Sequence, residues 1–290
     1  MPVKGRNQSA QALQVHGRLF LIDCGEGTQY RMTEYHVPMM KLDSVFLSHI
    51  HGDHVFGLPG LLSTMGMKGR QTPLNIFAPP AFGPLLKFFL SYYGEGIGFE
   101  IRFTPLKMRE PETILETKSI RVQAFPLNHG IETFGFLFQE KEPMLNVRKE
   151  AIGEYGLSLT EIGTLKRGED VLRSDGTLIP AAETAYKPFE PRSYAYCSDT
   201  APFLEVAGWL KGTTVIYHEA TYLQELSDQG ALRHHSTTLQ AAQLALDAGA
   251  RKLLVGHYSS RTQDISAFQE ECRTLFPQTY ATSDGEVYEI

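Results

Sequence analysis

Short apolar runs recur along this chain, and most of them stop at a polar or glycine-rich corner. Strands are expected at 13–16, 18–23, 45–47, 74–78, 99–104, 113–116, 119–125, 133–139, 193–197, 213–217 and 252–255. The first two flank His16-Gly17, a pair suited to a tight hairpin turn. Helices are expected at 55–67, 82–93, 202–210, 239–248 and 265–275, between the strands. In 82–93 the apolar Leu85, Leu86, Phe88, Phe89 and Tyr92 recur at helical spacing, while Gly66, Gly69 and Pro73 end the helix before it and Gly249 caps the fourth. A hairpin-like tail is expected around Asp284-Gly285. Strands alternating with helices, with no linker between them, imply one layered α/β domain over 1–290. The stretch 144–191 departs from the pattern. It is rich in Glu, Gly, Pro and Lys, with weak periodicity and a turn at Asp175-Gly176. It reads as an insertion projecting from the domain, not as a second folded domain.

The corner after the 45–47 run holds the densest chemistry: Ser48-His49-Ile50-His51-Gly52-Asp53-His54. In an extended segment His49 and His51 point the same way, because side chains alternate with period two. Gly52 lets the chain turn, Asp53 falls where a helix N-cap would sit, and His54 falls in the first turn. A lone histidine is more often a packing or surface residue. Four metal-type residues within six positions are too many nitrogen donors for one open tetrahedral zinc and about half of what two metals need. The same residue types recur at other strand ends: His129, Asp199 and His257. Ends of strands share one edge of a layered α/β fold, so these can converge with the corner. His16 and His36 stand in poorer contexts and read as surface residues. Asp23, ending the 18–23 strand, could support a ligand from behind or simply cap its own corner.

Composition narrows the setting. An apolar content of 42% is enough for a sizeable core, and no apolar run approaches the roughly 20 residues of a membrane span. No basic-then-apolar leader opens the chain. Cys24, Cys197 and Cys272 are odd in number and far apart, as free thiols in a reducing cytoplasm would be. The net charge of −6 restricts any nucleic-acid contact to local basic patches.

His-Ile-His-Gly-Asp-His after an apolar strand resembles the metallo-β-lactamase superfamily. Further motifs are similar to those of the ribonuclease Z family within it: Phe20-Leu21-Ile22-Asp23-Cys24-Gly25-Glu26-Gly27-Thr28-Gln29, Leu127-Asn128-His129, Ser198-Asp199-Thr200, His218-Glu219-Ala220-Thr221, His235-Ser236-Thr237 and Gly256-His257-Tyr258-Ser259-Ser260-Arg261. The histidine corner alone marks only the superfamily; the combination, spread over nearly the whole chain, is specific. The implied fold is an αββα sandwich, two mixed β-sheets flanked by helices, with a dinuclear metal site at one edge.

The resemblance assigns His49, His51 and His129 to one metal and Asp53, His54 and His257 to the other, with Asp199 bridging. Two divalent ions per chain follow, zinc foremost and manganese the alternative, a pair that five imidazoles and two carboxylates suit. The implied reaction is cleavage of precursor tRNA on the 3′ side of the discriminator nucleotide by a metal-activated hydroxide, leaving a 3′-hydroxyl. Asp53 is the candidate general base. His235 is the candidate proton donor, oriented by Glu219, against a plain helix-capping role.

Pro2-Val3-Lys4-Gly5-Arg6-Asn7 matches the family's Pro-x-Lys-x-Arg-Asn loop, which implies contacts from Lys4, Arg6 and Asn7 to the tRNA 3′ end. Family members carry a strand before this loop; here the loop begins at residue 2, which would leave a sheet edge unpaired. The 144–191 insertion occupies the place of the family's tRNA-clamping arm, with Lys166 and Arg167 as candidate phosphate contacts, although it is more acidic than basic and only partly matches the arm's tip. A homodimer, each arm serving the other subunit's site, is implied as well, and no membrane. Two other readings remain open: a small-substrate phosphodiesterase on the same fold, and a metal-stabilised RNA-binding module without turnover.

Overall fold

The computed structural model describes residues 3–262 and 264–290, so Pro2 of the N-terminal motif lies outside the described residues. Two β-sheets organise it, and the alternation of side chains along their strands explains how they stack. In Arg18–Ile22 and Leu42–Phe46, Leu19, Leu21 and Val45 pack on helices, while Phe20 and Phe46 face the other sheet. Strands buried on both faces read as unbroken apolar runs, which is how they look in the sequence.

The first sheet runs in chain order through Gln11–Val15, Arg18–Ile22, Leu42–Phe46, Leu74–Ala78 and Ile101–Pro105. Its first pair is antiparallel and the others parallel. His16 and Gly17, at φ 47° and 76°, make the two-residue turn, because positive φ at both positions matches the twist of the flanking strands. The second sheet has seven strands, in the order Thr279–Ala281, Lys252–Gly256, Val215–Glu219, Ser193–Cys197, Thr133–Glu140, Ile120–Leu127, Glu112–Glu116. Phe20 and Phe46 meet Phe138 and Phe136 across the sheets, with ring centroids 5.2–5.8 Å apart within this cluster. Helices Gly57–Met67 and Phe82–Tyr93 bury Leu58, Leu61, Leu62, Phe82 and Leu86 against the first sheet. Thr238–Asp247 and Ser266–Arg273 bury Ala241, Ala242, Ala245, Phe268 and Cys272 against the second. The two sheets lie between helical layers, the αββα sandwich that the resemblance implies.

Local differences from the sequence reading have physical causes. The expected helix at 55–67 is two, Gly52–Val55 and Gly57–Met67. His51, in extended conformation, holds the N-cap position and makes no side-chain cap; Asp53 sits inside the first turn with its carboxylate turned toward His257 instead. The tail is no hairpin. Thr279–Ala281 pairs parallel with Lys252–Gly256, and the intervening helix Ser266–Arg273 supplies the long crossover that parallel pairing requires. Helix Ser227–Arg233 gave no periodic signal because Gly230 is its one buried residue.

The chain divides into two compact units, 1–116 with 122–138 and 193–290, and 117–121 with 139–192. The second has its own small core of Leu157, Leu165, Val171, Ile179 and Ala181. Helices Lys149–Tyr155 and Leu159–Lys166 stand with two two-stranded sheets, Asn146–Val147 with Ala185–Tyr186 and Val171–Leu172 with Leu178–Ile179. Ser158 and Glu161 form a reciprocal capping box on the second helix, and Arg173 donates to both Glu161 carboxylate oxygens.

Candidate metal centre

Seven metal-type side chains meet at one edge of the first unit. His49 and His51 stand on the extended segment after Leu42–Phe46, and Asp53 and His54 on the first turn of Gly52–Val55. His129 follows Ile120–Leu127, Asp199 follows Ser193–Cys197, and His257 follows Lys252–Gly256. His257 has φ 58°, a left-handed conformation that a non-glycine residue adopts only when its surroundings hold it there. Glycines clear the approach: a Cβ at Gly25 would lie 2.4 Å from the Asp53 carbonyl, and one at Gly57 1.9 Å from the Gly25 carbonyl.

Donor atoms of His49, His51, His129 and Asp199 lie within 4.8 Å of one another, and so do those of Asp53, His54 and His257. Asp199 divides its carboxylate between the two groups. Its Oδ2 lies 3.6 Å from His49 Nε2 and 4.0 Å from His129 Nε2, while its Oδ1 lies 3.7 Å from His54 Nε2 and 3.3 Å from His257 Nε2. Asp53 Oδ2 is 3.8 Å and 3.7 Å from the same nitrogens of His54 and His257. Ligand atoms around one tetrahedral zinc, with bonds of about 2.0–2.2 Å, stand about 3.4 Å apart. The spacing therefore fits a cation in each group.

A second observation tests that fit. His54 Nε2, His129 Nε2 and Asp199 Oδ1 are buried and find no hydrogen-bond partner among the described residues. Each such atom costs roughly 1–3 kcal/mol unless something satisfies it. Outer contacts orient the rings as ligation needs. His54 Nδ1 bonds Asp23 Oδ2 at 2.7 Å, His129 Nδ1 the His234 carbonyl at 2.9 Å, His49 Nδ1 the Ser48 hydroxyl at 3.0 Å and His257 Nδ1 the Thr221 hydroxyl at 3.1 Å. An Nδ1–H held in this way leaves the Nε2 lone pair for the cluster.

Charge follows the same division. Burial and the neighbouring His54 and His51 push His49 far below the usual imidazole range, and burial lowers His129. Burial also opposes charge on His257, but Asp199 and Asp53 outweigh it and draw the group up to about 10. Burial would raise Asp53; hydrogen bonding to His257 and the charge of His54 overcome it and hold the group a carboxylate.

Glu219, fully buried, accepts from five donors. Oε1 receives the Thr200 and Ser236 amides at 3.1 Å and 2.8 Å and His235 Nδ1 at 3.0 Å; Oε2 receives the Thr221 amide and hydroxyl, each at 2.8 Å. Burial favours the neutral acid, but the His235 bond reverses this and lowers Glu219. Asp199, His235 and His257 also have donor atoms within 4.8 Å of one another, so His235 borders the same cluster. His218 is buried, with Nδ1 2.6 Å from the Glu219 carbonyl.

The remaining candidates lie elsewhere. Lys4 is exposed on the N-terminal loop. Arg6 donates to the carbonyls of Tyr258, Ser259 and Thr262. Asn7 donates twice to Asp284 and accepts from Arg31. Lys166 and Arg167 belong to the second unit, where Arg167 pairs with Glu169. Sequence reasoning passed over Ser9, Ser48, Tyr196 and Thr221, whose hydroxyls orient the ligands. The usable signal was Tyr196, a phenol inside an apolar strand, since a buried Tyr hydroxyl usually finds a partner. That partner is Asp23 Oδ2, 2.6 Å away.

Solved structures and curated relatives identify the fold and the family. The metallo-β-lactamase fold protein YhfI from Bacillus subtilis superposes with a TM-score of 0.69 at 19% identity, covering 99% of this chain and 94% of that one. Human tRNase Z, short form, superposes with a TM-score of 0.71 at 22% identity, covering 100% and 95%. A family model described as anti-Pycsar protein Apyc1 matches residues 3–145. The class is thus a metallo-β-lactamase fold carrying paired metal-type donor groups at one edge. A ribonuclease Z of Cytophaga hutchinsonii is 41% identical over 290 residues, 100% of this chain and 92% of the relative. This chain belongs to the ribonuclease Z family.

Proposed function

We propose that this chain cleaves precursor tRNA on the 3′ side of the discriminator nucleotide, leaving a 3′-hydroxyl on the tRNA and a 5′-phosphate on the trailer. Family membership makes it a phosphodiester-hydrolysing endoribonuclease. One observation supports the two-metal form of the reaction: the oxygens of Asp199 face two separate donor groups. His49, His51, His129 and Asp199 would hold one divalent ion, and Asp53, His54, His257 and Asp199 the other, with zinc the best match to nitrogen and carboxylate donors and manganese the alternative. Bound there, the ions would acidify a water and neutralise charge on the phosphodiester.

The chain's own groups do the rest. Asp53, held ionised, takes the proton of the attacking water as the new O–P bond forms. The P–O3′ bond breaks toward His235, whose Nδ1 is fixed on Glu219 so that Nε2 can give the departing O3′ its proton. Exposed Lys4 would meet backbone phosphate near the 3′ end, and Lys166 and Arg167 would do so in the second unit, which we read as the tRNA-clamping arm. The protein would act as a homodimer in which each arm serves the partner's site. The three described cysteines are free and buried, which suits a reducing cytoplasm. No helix of the described residues is long and apolar enough to cross a membrane.

Intact precursor tRNA and bis(p-nitrophenyl) phosphate, compared by kcat/KM with zinc or manganese, test the proposal. A strong preference for the precursor, with a single cut after the discriminator, is expected. Preference for the small diester, or no cleavage of precursor, would reject the tRNA assignment.

A further inference from the structure

We propose that Arg6 and Ser9 are positioning residues for the second donor group, setting how tightly Asp53, His54 and His257 hold a cation. The inference rests on the two-metal reading above. The N-terminal loop was expected to face RNA, yet its hydrogen bonds lead inward, and they reach each member of that group.

Ser9 reaches the first two. Its amide donates to the Asp53 carbonyl at 3.1 Å, and its own carbonyl accepts from the Gly25 amide at 2.8 Å. The Ser9 hydroxyl lies 3.0 Å from the Tyr196 hydroxyl and 3.5 Å from Asp23 Oδ2. Tyr196 and His54 meet on that same Asp23 oxygen, at 2.6 Å and 2.7 Å. The segment thus holds Asp53 by its backbone and His54 through the carboxylate that fixes its ring.

Arg6 reaches the third. Its guanidinium donates to the carbonyls of Tyr258, Ser259 and Thr262, at 3.4, 3.1 and 3.1 Å, in the stretch immediately after His257. His257 sits at φ 58°. A strained residue persists only when its flanks are held, and three carbonyls gathered on one planar fork hold this flank. On the other side, Asn7 is anchored by Asp284 and Arg31, so the segment is itself fixed. The route to the first group is longer. It passes from Asp23 through Ser48 to His49, and only beyond that ring to His51 at 3.0 Å, while His129 Nδ1 is held instead by the His234 carbonyl.

Losing an outer-sphere partner typically weakens metal affinity 10–100-fold. Arg6→Lys keeps the charge but puts a point donor where a fork spanned three carbonyls. Ser9→Ala removes one hydroxyl from a partly exposed residue and leaves the backbone bonds in place, so it keeps the fold even where Arg6→Lys does not. Cobalt titration of the metal-free protein, followed by ligand-field absorption and checked by metal analysis, reads the two sites separately. We expect two ions in wild type and, in both variants, a second site weakened roughly 10–100-fold beside a first site within threefold of wild type. Asp199→Ala, by contrast, weakens both sites. Unchanged affinity at both sites in Ser9→Ala, or equal loss at both, would overturn the inference while leaving the two-metal reading intact. A single ion in saturated wild type would overturn that reading and the inference with it.

Discussion

His235 and Glu219 show how far one pair of side chains can be read. Glu219 is buried and saturated with donors, so removing it would leave three backbone amides without their acceptor. It therefore supports the fold as well as the ring of His235. The two roles separate in a comparison of variants. His235→Ala should retain two bound metals and near-normal precursor affinity while turnover falls roughly 10²–10⁴-fold. Glu219→Gln should lower turnover less, since the imidazole remains. Near-wild-type turnover by fully loaded His235→Ala would remove the proton-donor role and leave His235 as a helix-flanking residue.

At the scale of elements, the helix Leu159–Lys166 depends on an ion pair whose pH behaviour can be stated in advance. Hydrogen bonding from Arg173, and then from the Ser158 amide, lowers Glu161 from an ordinary 4.5 to about 2. A carboxylate lowered on folding contributes stability above its unfolded value and loses it as pH falls through the folded one. The pair's contribution is thus complete above about pH 5 and fades between 4.5 and 2. Amide exchange over 158–173, compared between wild type and Arg173→Met, should show a protection difference at pH 5 that shrinks steadily toward pH 2.5. A difference constant over that range would mean the pair carries no proton-linked stability.

At the scale of the molecule, the metal-type cluster lies wholly in one compact unit and the candidate clamp in the other. Deleting 144–191 should therefore spare hydrolysis of bis(p-nitrophenyl) phosphate while raising KM for precursor tRNA by roughly 10²-fold, the scale of a lost second attachment point. If arms act across a dimer, mixing that deletion with full-length Asp199→Ala should raise precursor cleavage above the level that either reaches alone. Mixed dimers that show no such rise would place the arm on its own subunit's site. Equal losses on both substrates would give the segment a role in holding the fold or the metals.

Much of this was legible in the chain itself, because the signals are local. Unbroken apolar runs predict strands buried on both faces, and His49, His51, Asp53 and His54 share one corner whatever surrounds it. The recurrence of His129, Asp199 and His257 at strand ends follows from the same logic, since strand ends in a layered fold share an edge. What depended on distance in sequence was decided only in three dimensions. Asp53 leaves the N-cap role because His257, from a strand some two hundred positions later, takes its carboxylate. The last strand pairs parallel, not as a hairpin, because Lys252–Gly256 offers it an open edge. Arg6 looks like a free cation in sequence and becomes a clamp on the carbonyls after His257, because the fold brings that stretch within reach of its forked N–H donors. Residue types and spacing determine which chemistry the chain carries; tertiary packing determines which atoms of those residues meet.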